Sequence, residues 1–173
     1  DDMKPFDQSS TMRAAAIAAT MAHRGWKRKS LTPSGAAAAW AVGFLSLSCG
    51  ARGFLLLLFY VVGSKATKYK CRSKSNLDRS AADSSCRGPG QVLACSALGV
   101  AFQLAHAYYH GEERSIDFAE HPRASSLACA LVAHHATSLA DTLASELGML
   151  SRTSPMLITS GRRVPPGTNG GGT

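Results

Sequence analysis

Aromatic residues are scarce in this chain, at 7%, and they do not interleave with the basic residues as they do on an RNA-binding surface. Nucleic acid is therefore not an expected partner. Cysteine occurs five times, an odd number at irregular spacing, with no zinc pattern and no disulfide framework. Cys49, Cys95 and Cys129 fall in apolar runs as small hydrophobes, and Cys71 and Cys86 share a polar loop. No basic n-region, short apolar core and cleavage site is visible near Asp1-Asp2-Met3, so no signal peptide is expected and the start need not be native. What is present is segregation. Mean hydropathy is only −0.03 and net charge is +8, but charge collects in the blocks 23–33, 65–90, 111–123 and 151–163 and is nearly absent between them. Such punctuation belongs to a membrane protein.

The spacing predicts helices over 14–22, 34–51, 53–66, 91–109 and 124–147. Crossing about 30 Å of hydrocarbon takes roughly twenty residues, so the two runs on either side of Arg52 are each marginal. Arg52 at mid-membrane would be costly, and glycines flank it. A hairpin of two short helices is preferred over one bent helix. Loops 23–33, 65–90 and 148–173 then fall on one side with fourteen of the nineteen basic residues, the asymmetry typical of a cytoplasmic face. The acidic loop Glu112 to Glu120 faces the other side. The fold class expected is all-α, a multi-pass transmembrane bundle of about four to five membrane helices. Residues 1–24 form a poorly defined segment and 25–173 a partial membrane domain.

The last helix ends in Ala140-Asp141-Thr142-Leu143-Ala144-Ser145-Glu146-Leu147-Gly148. Acids beside hydrocarbon usually face a protein-lined cavity and carry an ion, a proton or a substrate. At about 100° per residue, His134, Ser138, Asp141 and Ser145 form one stripe and His135, Thr142 and Glu146 a second, with Val132, Ala136, Leu139 and Leu143 opposite. Carboxylates suit magnesium, which arrives on nucleotide phosphates and keeps several waters. Asp141 is the stronger ligand candidate and Glu146 the second, although about 140° separates them on one helix; Thr142 and Ser145 are candidate supports. Lys65, Lys68 and Lys70 can neutralise a phosphate chain while Thr67 adds a hydroxyl, the competing role being an anchor on anionic lipid heads. Gly167, Thr168, Asn169, Gly170 and Gly171 offer successive N–H groups for an anion nest, stiffened by Pro165-Pro166, and are not a Walker motif. His106 and His110 lack a third metal ligand, so core or helix-end roles are expected.

Four blocks carry a resemblance. Lys29-Ser30-Leu31-Thr32-Pro33-Ser34-Gly35-Ala36, Gly63-Ser64-Lys65-Ala66-Thr67-Lys68-Tyr69-Lys70, the Asp141 block, and Ser154 to Thr159 with Val164 to Gly171 occur in the order found in the transmembrane protein 19 family, which includes plant phytyl-phosphate kinases. The chain resembles that family over roughly 25–171. The Asp-Thr-Leu-Ala-Ser-Glu block also resembles, more distantly, the Gly-Asp motif of polyprenol and phytol kinases. The resemblance implies a multi-pass protein whose plant members phosphorylate phytyl phosphate with a nucleoside triphosphate. The family usually continues past Gly-Gly-Val-Thr into further helices, so this chain looks like an N-terminal fragment.

The expected function is a membrane kinase of an isoprenoid monophosphate, in the chloroplast envelope or an endomembrane. Asp141, with Glu146, holds magnesium; Lys65, Lys68 and Lys70 hold phosphates; Thr168 to Gly171 close over the nucleotide. A phosphomonoester is already largely ionised at neutral pH, so no dedicated base is required. The alternatives are a non-catalytic membrane protein or ion-coupled transporter, and a soluble helical bundle. The bilayer and an isoprenoid phosphate are the expected partners.

Overall fold

Prolines set the starts of three helices, where a missing N–H costs nothing. α2 spans Pro33–Cys49, α4 Pro89–His110 and α5 Pro122–Gly148, and Thr32 caps α2 by accepting the Gly35 N–H at 3.0 Å. A computed structural model describes residues 8–69, 86–148, 150–151, 153–165, 168 and 171–172. Two further helices, α1 at Gln8–Lys27 and α3 at Phe54–Lys68, complete the helical architecture of these residues. A short antiparallel pair, β1 at Met156–Leu157 and β2 at Gly171–Gly172, sets Met156 opposite Gly172. Lys70, Gly167, Asn169 and Gly170, with Cys71, lie outside the described residues.

α1 is longer than the expected 14–22. Its buried positions are Ser10, Ala14, Ala18, Ala22 and Gly25, a run of small residues about four apart that lies along one face. A Cβ on Gly43 of α2 would stand 3.5 Å from the Ala18 methyl. Close approach of small residues holds this pair, and hydropathy does not register it.

The reversal at Arg52 is present. α2 ends at Gly50, whose φ of 148° suits only glycine, and a 3-10 turn over Ala51–Gly53 leads into α3. Gly53 presses on the preceding helix, since a Cβ there would lie 2.5 Å from the Ser46 carbonyl oxygen. Val42, fourteen residues before Leu56, joins Leu56, Phe59 and Val100 in one core cluster. Glu113 fastens the turn, both carboxylate oxygens accepting the Arg52 N–H at 3.0 and 3.2 Å. The Arg52 guanidinium donates to the Arg114 carbonyl, so the turn and the 111–121 loop share one end of the bundle.

The interior is unusually polar. Ser46, Ser48, Ser96, Gln103, His106, Ser125 and His135 are buried, whereas Trp40, Phe54, Leu58, Leu93, Leu98 and Val132 are exposed. Ser46 Oγ donates to Gln103 Oε1 at 2.7 Å, joining α2 to α4. A soluble domain places these classes the other way round; in lipid, apolar side chains face outward and polar ones bond between helices. Among the described residues α4, at 22 residues, is the one helix long and apolar enough to cross a bilayer, and α2 is apolar but 17 residues long.

Candidate functional site

The two connections that begin α2 and α4 meet in a parallel bridge between Leu31 and Arg87. The Arg87 N–H donates to Ser30 O at 3.0 Å, and its carbonyl accepts from Thr32 N at 3.1 Å. Gly35 is required beneath it, because a Cβ there would collide with that carbonyl. With its backbone so fixed, Arg87 extends its side chain between α3 and α5. Nη2 donates to Thr67 Oγ1 at 3.1 Å, and the Thr67 hydroxyl donates to Gly63 O at 3.0 Å. A Cβ on Gly63 would stand 3.5 Å from Arg87 Nη2 and 3.6 Å from Thr142 Cγ2. Both are ordinary contact distances, so Gly63 lies beside the guanidinium and beside the helix that carries Asp141.

This group lines a cleft with about 730 Å3 of empty space, a figure that includes its open mouth. Its walls are apolar: Met21 from α1, Val42 from α2, Leu56 and Phe59 from α3, Val92 from α4. Polar groups enter from Arg87, Gln91, Ser96 and Thr142, with Tyr60 presenting a ring and a hydroxyl. Along α3 its lining runs from Leu56 to Tyr60, about 6 Å.

The expected site residues divide. Thr67 belongs to the Arg87 group, and Asp141 follows it through the neighbouring Thr142. Asp141 and Ser145 are exposed, Glu146 is half-buried, and α5 turns Leu131 and His135 inward while Val132 faces out. The hydroxyls proposed to support a metal bond their own helix: Thr142 Oγ1 donates to Ser138 O at 2.9 Å and Ser145 Oγ to Asp141 O at 2.9 Å. Among the described residues no group of three or more His, Cys, Asp or Glu is placed to hold a metal. A lone carboxylate fits magnesium delivered on phosphates, which needs one or two protein ligands, and not a cage supplied by the chain.

Lys65 and Lys68 are exposed at the end of α3, and Lys68 Nζ donates to Arg28 O at 3.4 Å, next to the last turn of α1. In the glycine-rich tail, Thr168 Oγ1 donates to Pro165 O at 2.7 Å and the Gly171 N–H to Thr168 O at 3.1 Å. Both groups expected to hold an anion are engaged in a local turn, and the hydrogen bonds of the described residues from 155 to 172 close within that stretch. His106 is a core residue, its Nε2 3.5 Å from Arg52 Nη1. Arg87 is the residue that sequence reasoning missed. Its one signal is position, directly before the Gly88-Pro89 start of an apolar helix.

Comparison with known proteins bears on what this architecture is. Protein PGR of Arabidopsis thaliana is 34% identical over 171 residues, which is 98% of this chain and 59% of that protein. The uncharacterized membrane protein sll0875 of Synechocystis is 33% identical over 145 residues, 83% of this chain and 52% of the relative. Protein VTE6, chloroplastic, of Arabidopsis thaliana is 32% identical over 142 residues, 81% of this chain and 40% of the relative. The chain thus spans about half the length of the curated relatives it matches. No solved structure matches it. The family described as Integral membrane protein DUF92 matches residues 16–173, in keeping with the polar interior and apolar exterior, and the chain belongs to that family of integral membrane proteins.

Proposed function

We propose that this chain forms part of a multi-pass membrane kinase that transfers a phosphoryl group from a nucleoside triphosphate to an isoprenoid monophosphate of the phytyl type. One observation carries the reading: an apolar cleft inside a membrane bundle is lined by the half-buried Arg87 and by Thr142 of α5, the residue after the exposed Asp141. An isoprenoid phosphate has that division, a hydrocarbon tail and a dianionic head. The word chloroplastic in one relative's name supports a chloroplast membrane as its location, with an endomembrane as the alternative.

In the reaction, an oxygen of the acceptor phosphate attacks the γ-phosphorus and the bond to the β–γ bridging oxygen breaks. A nucleoside diphosphate leaves with that electron pair. The acceptor is already ionised, so the chain's task is to position two anions and neutralise the charge between them. Magnesium bound to the triphosphate would supply part of that neutralisation. Asp141, with Glu146 the second candidate, would hold it, and Lys65 with Lys68 and Lys70 would lie along the phosphates. Thr168 and Gly171, already hydrogen-bonded within a local turn, are given a smaller share of the nucleotide's binding in this reading.

The full-length protein, in membranes with phytyl phosphate and nucleoside triphosphate, is expected to form phytyl diphosphate. Asp141→Asn should lower turnover by about a hundredfold or more, the scale on which charge-stabilising groups act. Undiminished turnover in that variant would remove Asp141 from the site. A second reading, an ion-coupled transporter, draws on Gln103 Nε2 and both ring nitrogens of His135, which are buried without hydrogen-bond partners. Ion-dependent solute flux without nucleotide consumption would select it.

A further inference from the structure

Arg87 carries five N–H donors, yet Thr67 Oγ1 is the side chain's one hydrogen-bond acceptor among the described residues. It is half-buried against an apolar cleft, where a guanidinium without a counter-charge is costly. No carboxylate among the described residues pairs with it. Its approach is nevertheless built with care. Two backbone hydrogen bonds fix Arg87 to Ser30 and Thr32, Gly35 leaves space for its carbonyl, and Thr67 holds one edge of the fork. The remaining donors are on a group that lines the same cleft as Met21, Leu56 and Phe59.

The geometry points to Arg87 as the seat of a phosphate on a single-chain lipid, the head bonded by the guanidinium fork and the hydrocarbon lying along the cleft toward Leu56. A planar fork binds a phosphate through two parallel hydrogen bonds, which a lysine cannot reproduce. Thr67 fixes the rotation of the fork by accepting from Nη2, so it is a positioning residue. The seat deepens the proposed function and rests on it for the name of the ligand, since it would hold the acceptor and leave the nucleotide to the Asp141 side. A two-chain phospholipid offers the same phosphate chemistry; the single chain follows from the proposed acceptor, and phosphatidic acid is the competitor that tests it.

The test is equilibrium binding of radiolabelled phytyl monophosphate to the full-length protein in nanodiscs, with phytol, phosphatidic acid and inorganic phosphate as competitors. Arg87→Gln, which keeps both backbone hydrogen bonds, should weaken binding by roughly tenfold or more, and Arg87→Lys should recover only part of the loss. Thr67→Val should give a smaller loss. Phytol should compete weakly and equally against wild type and Arg87→Gln. Equal affinity of wild type and Arg87→Gln for phytyl monophosphate, with thermal unfolding showing both folded, would overturn the seat. Displacement by phosphatidic acid at the same concentration as phytyl monophosphate would overturn the single-chain assignment, and displacement by micromolar inorganic phosphate would overturn the lipid. Arg87-dependent binding without nucleotide turnover would sink the kinase and leave the seat; turnover with Arg87-independent binding would do the reverse.

Discussion

Gly50 has a φ of 148°, and a Cβ there would lie 2.5 Å from the carboxyl carbon of Glu113. The carboxylate is drawn in that close because it accepts the Arg52 N–H, one of the donors left over where α2 stops and the 3-10 turn begins. Glu113→Ala should leave that donor unpaired and cost about 1–3 kcal/mol, measured as loss of thermal or denaturant stability in detergent. A stability equal to wild type would show that water replaces the carboxylate. Residue by residue, the sequence revealed what is unusual in its surroundings. Asp141 stood out as an acid on an apolar helix, and Arg52 as a charge between two apolar runs. Arg87 did not, because in one dimension it resembles Arg72, Lys74 and Arg79 of the same charged stretch. What separates it is pairing with Ser30 and Thr32, more than fifty residues earlier, and no local pattern encodes that. The hydroxyls of Thr142 and Ser145 bond the carbonyl four residues back, as serine and threonine inside helices readily do.

At the scale of elements, punctuation made most of the fold legible. The expected 91–109 and 124–147 correspond to Pro89–His110 and Pro122–Gly148, and the reversal at Gly50 to Gly53 follows from two glycines around a charge. α1 was only half visible because alanine and glycine add little hydropathy while allowing helices to approach closely. That close approach gives a prediction for this pair. Ala18 is 2% exposed and faces Gly43, where even an added Cβ would stand at contact distance from its methyl, so Ala18→Leu adds three carbons to a close helix pair. Overpacking of this kind costs about 1–3 kcal/mol, and the same change at the exposed Ala19 should cost little. Equal effects at the two positions, read from thermal unfolding in detergent, would refute the small-residue contact between α1 and α2.

For the whole molecule, the arrangement of ends decides whether a site is possible. Arg87 touches α3 through Thr67, and Gly63 touches α5 at Thr142, while the opposite end gathers Arg52, Glu113 and Arg114. The charge asymmetry in the sequence anticipated this division, because lysine and arginine collect on the side that contains the cleft's polar end. Single cysteines replacing Lys65 and Ser145, both exposed, should therefore react with a membrane-impermeant thiol reagent from the same side. Cysteines replacing the exposed Arg114 and Phe118 should react from the other, all in a background whose native cysteines are changed to serine or alanine. On the proposed kinase reading, nucleotide and lipid meet only at the water–membrane boundary, which requires Lys65 and Ser145 to share a leaflet with Arg87. If the reagent reaches those two positions from opposite sides, the acid-bearing end of α5 cannot serve the cleft, and the acceptor and the triphosphate would be held a bilayer apart.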